Sequence, residues 1–140
     1  MHRDSRIALL RSVPGLGHYP DKALARLAPL FDVCDIAAGE ELTREGAPSR
    51  EMFLVVEGEA IVTKGPEEIA TVGPGEFIGE MGMLDLAPRS ATVIAHTDMR
   101  LLVVSPNSFG RVLEAPALLR RMTTDLSRRL RSLDGSGRHE

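Results

Sequence analysis

"MFLVVEGEAIVTKGPEEIATVGPGEFIG", residues 52–79, breaks into short apolar runs cut by glycine or proline. "MFLVVEG", "EAIVT", "EIATVG" and "EFIG" each read as a strand. "TKGPEEI" reads as a hairpin connection in which Gly65 supplies the permissive backbone. The same texture extends in both directions, through "DVCDI" and "EEL" upstream and "RSATVIA" and "MRLLVV" downstream, so that it fills Val33 to Val104. Strands at a spacing of about eight to twelve residues, with turn signals between them, predict a closed or double-sheet antiparallel fold. The fold class is mainly β with flanking helices, an antiparallel double-stranded β-helix of the jelly-roll or β-roll kind. Gly39, Gly46, Gly58, Gly65, Gly73 and Gly75 are expected at its corners.

Helix signals flank this body. Ile7, Leu9 and Leu10 lie in a charged setting, and in "PDKALARLAPLF" Asp21 can cap a short helix holding Leu24 and Leu27. Pro14, Pro20 and Pro29 keep these helices short. On the far side Ser105 is a candidate N-cap, with Pro106 at the first helical position of "PNSFGRVLE". A second helix is expected from Pro116, with Leu119, Met122, Leu126, Leu130 and Leu133 forming one apolar stripe. The expected organisation is a single domain over 1–134: N-terminal helices over 1–31, a β-roll over 32–104, C-terminal helices over 105–134, then a tail over 135–140.

Composition narrows the function. The chain has 140 residues, is 43% hydrophobic and carries a formal net charge of −3, so it lacks the basic body of a dedicated nucleic-acid binder. One cysteine, Cys34, excludes an internal disulfide and a Cys-rich zinc site, and fits a reducing compartment. Its "DVCDI" setting reads as core strand. No apolar run reaches membrane-spanning length and the start, "MHRDSRIALLRS", lacks a signal peptide's apolar region. A cytoplasmic protein without membrane association is expected.

Chemistry gathers in residues 75–92. Gly79 to Leu84 has few β-branched residues and suits one helical turn, whose free N–H groups and entry glycine would let an anion approach the backbone. Arg89 adds a planar fork of donors for a phosphate, and Ser90 a hydroxyl. Glu80 fits beside a phosphate if it accepts hydrogen bonds from a sugar hydroxyl, so a compact ligand joining ribose to phosphate would satisfy the set. A plainer reading stays open: Glu80 stabilised by a helix dipole, Arg89 paired with Glu80 or Asp85, and Ser90 an ordinary strand residue.

"GPGEFIGEMGMLDLAPRSATV", residues 73–93, resembles the phosphate-binding cassette of the cyclic nucleotide-binding domain family, whose pattern is Gly-Glu-apolar, a short turn, then Arg-(Ser/Thr)-Ala. "AAGEELTREGAPSREMFLVVEGEAIV", residues 37–62, is similar to that family's glycine-punctuated strands. The resemblance runs from about Leu24 to Leu133. It implies that Glu80 bonds the ribose 2′-hydroxyl, that Arg89 pairs with the cyclic phosphate, that Ser90 donates to it, and that the backbone at Gly79 and Met81 completes the cradle. Val62 and Val72 would pack against ribose or base, with plain core as their other role. Arg129 would reach the ligand or an opposite subunit, or else share a solvated face with Arg120, Arg121, Arg128 and Arg131. Ser90 in place of threonine matches cAMP-selective members, with cGMP the other candidate. The Thr-Ser pair that catabolite activator-type proteins use for adenine falls on Leu133 and Asp134, while Thr123 and Thr124 lie too early to replace it. Base recognition is therefore the part that departs from the family.

Three functions follow from these residues. A cyclic nucleotide-binding regulatory module, with ligand binding coupled to movement of the C-terminal helix, is the leading one. It has an unknown effector protein and no cofactor beyond the nucleotide. A ligand-independent partner-binding domain, or a homodimer through the C-terminal helix, is the alternative. A cupin-type enzyme would need clustered metal ligands, yet His2, His18, His96 and His139 are scattered, so neither a metal site nor a catalytic residue is expected. Nothing after Gly135 supplies a helix-turn-helix, so DNA reading by this chain alone is not expected.

Overall fold

Strand β3, Met52–Glu57, is buried at every position but the last, and this explains why it reads as an unbroken apolar run rather than an alternating one. Both of its faces are covered. Met52, Leu54 and Val56 look outward into a core shared with the helices, whereas Phe53 and Val55 look inward between two sheets. The computed structural model describes residues 2–79 and 87–124, and around β3 it places seven further strands. These are β1 (Asp32–Ile36), β2 (Glu41–Thr43), β4 (Ala60–Lys64), β5 (Glu67–Val72), β6 (Phe77–Ile78), β7 (Thr92–Ala95) and β8 (Met99–Val104).

The described strands form two antiparallel four-stranded sheets, ordered β1-β8-β3-β6 and β2-β7-β4-β5. That is the β-roll. Val72, Val93, Ile78 and Leu101 join Phe53 and Val55 in the core between the sheets. The second core lies on the outer face of the first sheet, where Leu54, Phe77, Leu102 and Val104 meet Leu10, Leu16, Leu24, Phe31, Leu118 and Met122 from the helical segments. Strand β5 is the contrasting edge: only Val72 is buried, and Glu67 and Glu68 on its exposed part discourage pairing with another chain. Gly39, Gly46, Gly58, Gly65 and Gly75 all take positive φ at turns, whereas Gly73 does not.

Helices α1 (His2–Ser12) and α2 (Asp21–Leu27), followed by a 3₁₀ turn (Ala28–Leu30), precede the roll, and α3 (Pro106–Leu113) and a C-terminal helix described over 116–124 follow it. Three local expectations need correction. Asp21 does not cap α2: Pro20 holds the cap position in an extended conformation, which makes Asp21 the first helical residue, and its carboxylate pairs with Arg11 of α1. Ser105 does stand at the cap of α3, but its hydroxyl makes no capping bond; Ser108 N–H donates to the Ser105 carbonyl (3.1 Å) instead. In the C-terminal helix the buried pair is Leu118 and Met122, one turn apart, and Leu119 is 40% exposed. The expected stripe therefore starts on the wrong residue, because the helix rests on the sheet through positions that the leucine spacing alone does not distinguish. Leu126, Leu130 and Leu133 lie outside the described residues.

Candidate functional site

The connection from β2 to β3, residues 44–51, grips the segment that carries Arg89. Gly46 N–H donates to the Arg89 carbonyl (2.9 Å), Arg89 N–H donates to the Ala47 carbonyl (2.8 Å), and the Ser49 hydroxyl donates to the Ala87 carbonyl (2.9 Å). With its backbone so held, the Arg89 side chain turns inward and is only 9% exposed. Its Nη2 donates to the Glu51 carbonyl at 2.8 Å. Its Nη1 is buried and has no hydrogen-bond partner among the described residues.

Gly79, at the end of β6, closes the other side. Its φ is +88°, a region that side-chain-bearing residues avoid, and a Cβ built there would overlap Arg89 Nη1 and stand 3.1 Å from the Glu51 carbonyl oxygen. The guanidinium thus lies against a bare Cα. Burial pushes the Arg89 pKa down, opposed by the Glu51 carboxylate, yet arginine remains charged in proteins. A cation taken out of water with a whole Nη group unspent is costly unless an anion completes it. A phosphate oxygen fits that role, since guanidinium–phosphate bonds are charge-assisted and directional.

The other candidates are distributed as follows. Ser90 is exposed, one residue beyond buried Arg89. Val62, half-buried on β4 opposite Ala70 and Val93, and Val72, buried on β5 opposite Ala60, both pack in the core between the sheets. Glu80, Met81, Arg129, Leu133 and Asp134 lie outside the described residues. The structure brings Gly79 and Arg89 together and adds three positions that the residue pattern does not single out: Ala47, Ser49 and Glu51. Two of these act through backbone carbonyls, which any residue type supplies, so only the Gly-Ala-Pro-Ser turn signal at 46–49 could have pointed to them.

Elsewhere the chemistry is quieter. Cys34 is half-buried against the inter-sheet core, and burial, then the charges of Asp35, Glu40 and Glu51, push its thiol pKa up, away from the reactive thiolate. His18 is exposed and packs on Tyr19 with ring centroids 4.3 Å apart, and His96 is exposed after β7. No group of three His, Cys, Asp or Glu among the described residues could hold a metal ion. Nor is any described helix long and apolar enough to cross a membrane.

A cAMP-dependent protein kinase regulatory subunit of Hypocrea atroviridis is 33% identical over 113 residues, covering 80% of this chain and 24% of that protein. The chain thus spans about a quarter of the length of that curated relative. Among solved structures, a cAMP-binding acyltransferase from Mycobacterium smegmatis superposes with a TM-score of 0.81 at 26% identity, over 94% of this chain and 42% of that one. A cyclic nucleotide-binding domain from Methylobacillus flagellatus gives 0.76 at 26% identity, over 93% and 79%. The family profile of the cyclic nucleotide-binding domain matches residues 33–115, which takes in nearly the whole roll, α3 and the buried Arg89. On sequence and on fold, this chain belongs to the cyclic nucleotide-binding domain family.

Proposed function

We propose that the chain is a regulatory module that binds a cyclic nucleotide, with cAMP as the preferred ligand and cGMP as its competitor. The observation that carries the reading is the buried Arg89 guanidinium with its unspent Nη1. In this reading Arg89 pairs with the cyclic phosphate, Ser90 donates from the exposed rim, and the backbone at Gly79 and Met81 completes the cradle. Glu80 accepts from the ribose 2′-hydroxyl, Val62 and Val72 flank ribose or base, and Arg129 supplies a further contact. No catalytic residue, metal or other cofactor is assigned. Binding shifts the populations of the C-terminal helix, through which a separate effector reads the signal. The relative named as a kinase regulatory subunit makes a kinase catalytic subunit the first effector class to test.

Titration calorimetry with cAMP and with cGMP, on the wild type and on Arg89→Ala, tests the reading. Wild type is expected to bind. Losing a charge-assisted contact of about 1.5–3 kcal/mol weakens binding roughly 10- to 100-fold in the variant. Absence of binding to either nucleotide rejects the proposal.

One observation favours a second reading, in which the domain docks on a partner or on its own copy without ligand: Leu119 leaves an apolar side chain 40% exposed on the C-terminal helix. Sedimentation separates the two. Self-association that is unaffected by nucleotide and by Arg89→Ala supports docking alone.

A further inference from the structure

The hairpin of β4 and β5 carries an apolar side chain that the fold leaves uncovered. Val62 on β4 pairs with Ala70 on β5 and Thr63 pairs with Glu68, so Ile69 falls at a bulge without a partner of its own. Bulges re-aim side chains, and Ile69 is 53% exposed, more than any other large hydrophobic residue among those described. The carboxylates of Glu67 and Glu68 precede it on the strand. Lys64 stands opposite Glu67 in the register, whereas Glu68 faces Thr63 and has no cation across from it. The Gly65 N–H donates to the Glu45 carboxylate at 3.0 Å, which holds the hairpin tip in place. The result is an apolar knob beside a carboxylate on a fixed support.

A surface of complementary chemistry lies among the N-terminal helices. Between α1 and α2 runs an open groove of about 500 Å³, lined by Ile7, Ala8 and Ala25 and by the charged Arg11, Asp21 and Lys22. Arg11 and Asp21 pair with each other, which leaves Lys22 without an ion-pair partner among the described residues. Arg26, one turn further along α2, is exposed as well. The groove is thus apolar with a cationic margin. Charge along the chain divides in the same way: residues 1–31 carry five Lys or Arg against two Asp or Glu, and residues 32–104 carry five against fourteen. Knob and groove of one chain cannot meet, because the helices pack on the outer face of the first sheet and β5 is the edge of the second.

We propose that this chain associates head to tail, with Ile69 of one copy seated in the α1–α2 groove of the next and Glu68 paired with Lys22 across the contact. The contact is heterologous, since knob and groove are different surfaces, so each copy keeps one of them for a further neighbour. Glu67 and Glu68 oppose strand-to-strand pairing at the β5 edge, which leaves docking by side chains as the use of that edge. One apolar anchor and one ion pair make a small interface, so the association is weak, reversible and sensitive to salt. It uses neither Arg89 nor Leu119, and therefore stands apart from nucleotide binding and from docking through the C-terminal helix.

Sedimentation velocity over a concentration series of the full chain, at low and at high salt, tests the contact. Wild type is expected to associate as concentration rises and to lose most of that association at high salt. Ile69→Ser is expected to weaken association about tenfold or more. Lys22→Glu and Glu68→Lys each set like charges against each other and are expected to weaken it about fivefold or more, while the double variant, in which the pair is reversed, regains it. All three positions are exposed, so urea melts of the variants should match wild type. A wild type that stays monomeric throughout overturns the proposal, as does association that Ile69→Ser leaves intact or that the double variant fails to restore.

Discussion

A guanidinium withdrawn from water keeps its charge, so Arg89 must be completed by something, and the Glu51 carbonyl that takes Nη2 leaves the buried Nη1 without a partner among the described residues. The position that permits this is Gly79. Gly79→Ala adds a Cβ at positive φ directly against Nη1 and close to the Glu51 carbonyl, where the backbone cannot yield cheaply. It is expected to cost about 1–3 kcal/mol of stability and to displace the guanidinium from its seat, weakening nucleotide binding as Arg89→Ala does. Urea melts and calorimetry read the two effects, and a variant as stable and as tight as wild type removes Gly79 from the site. Residue type alone makes Gly79 and Arg89 stand out in the chain. Glu51 does not stand out, because its contribution to the seat is a carbonyl, a group that every residue carries.

Elements are settled by what covers them. The C-terminal helix offers Leu118 and Leu119 side by side, and sequence spacing chose Leu119 for the buried stripe, whereas contact with the sheet chose Leu118. The difference is measurable. Leu118→Ala removes a fully buried side chain and is expected to cost about 2–5 kcal/mol in urea denaturation. Leu119→Ala is expected to stay within about 0.5 kcal/mol of wild type, as surface changes do. Equal costs would mean that the helix sits on a different face. The same principle governs the strands: β3 was legible as a strand from its apolar run, but that both of its faces are covered follows only from the helices that return to it.

At the scale of the whole molecule, charge does little to hold the fold. The pair joining β1 to β8, Asp35 with Arg100 Nε at 2.8 Å, is largely exposed. The hydrogen bond from Arg100 lowers the Asp35 pKa below its unfolded value, so its contribution is present above the ordinary carboxylate range and is lost as pH falls through the depressed value. Asp35→Asn should therefore lower the urea midpoint slightly at about pH 7, and the difference should shrink as pH falls through the carboxylate range. A difference that persists in acid assigns the effect to something other than charge. Stability instead rests on the two apolar cores, and β6 lies between them, with Phe77 on the helix side and Ile78 between the sheets. Phe77→Ala is expected to cost about 3–5 kcal/mol by thermal or urea unfolding.

The sequence by itself determined the antiparallel roll and most of its glycine corners, and it singled out Gly79 and Arg89, which the fold brings into contact. Short apolar runs, turn chemistry and the types of residue gathered in one segment are local matters that a linear pattern can carry. Only the tertiary structure decided which helix face is covered, that Ser105 and Asp21 do not cap, and that loop 44–51 seats Arg89. Those contacts join residues tens of positions apart, largely through backbone carbonyls, and a carbonyl leaves no mark on the residue type that bears it.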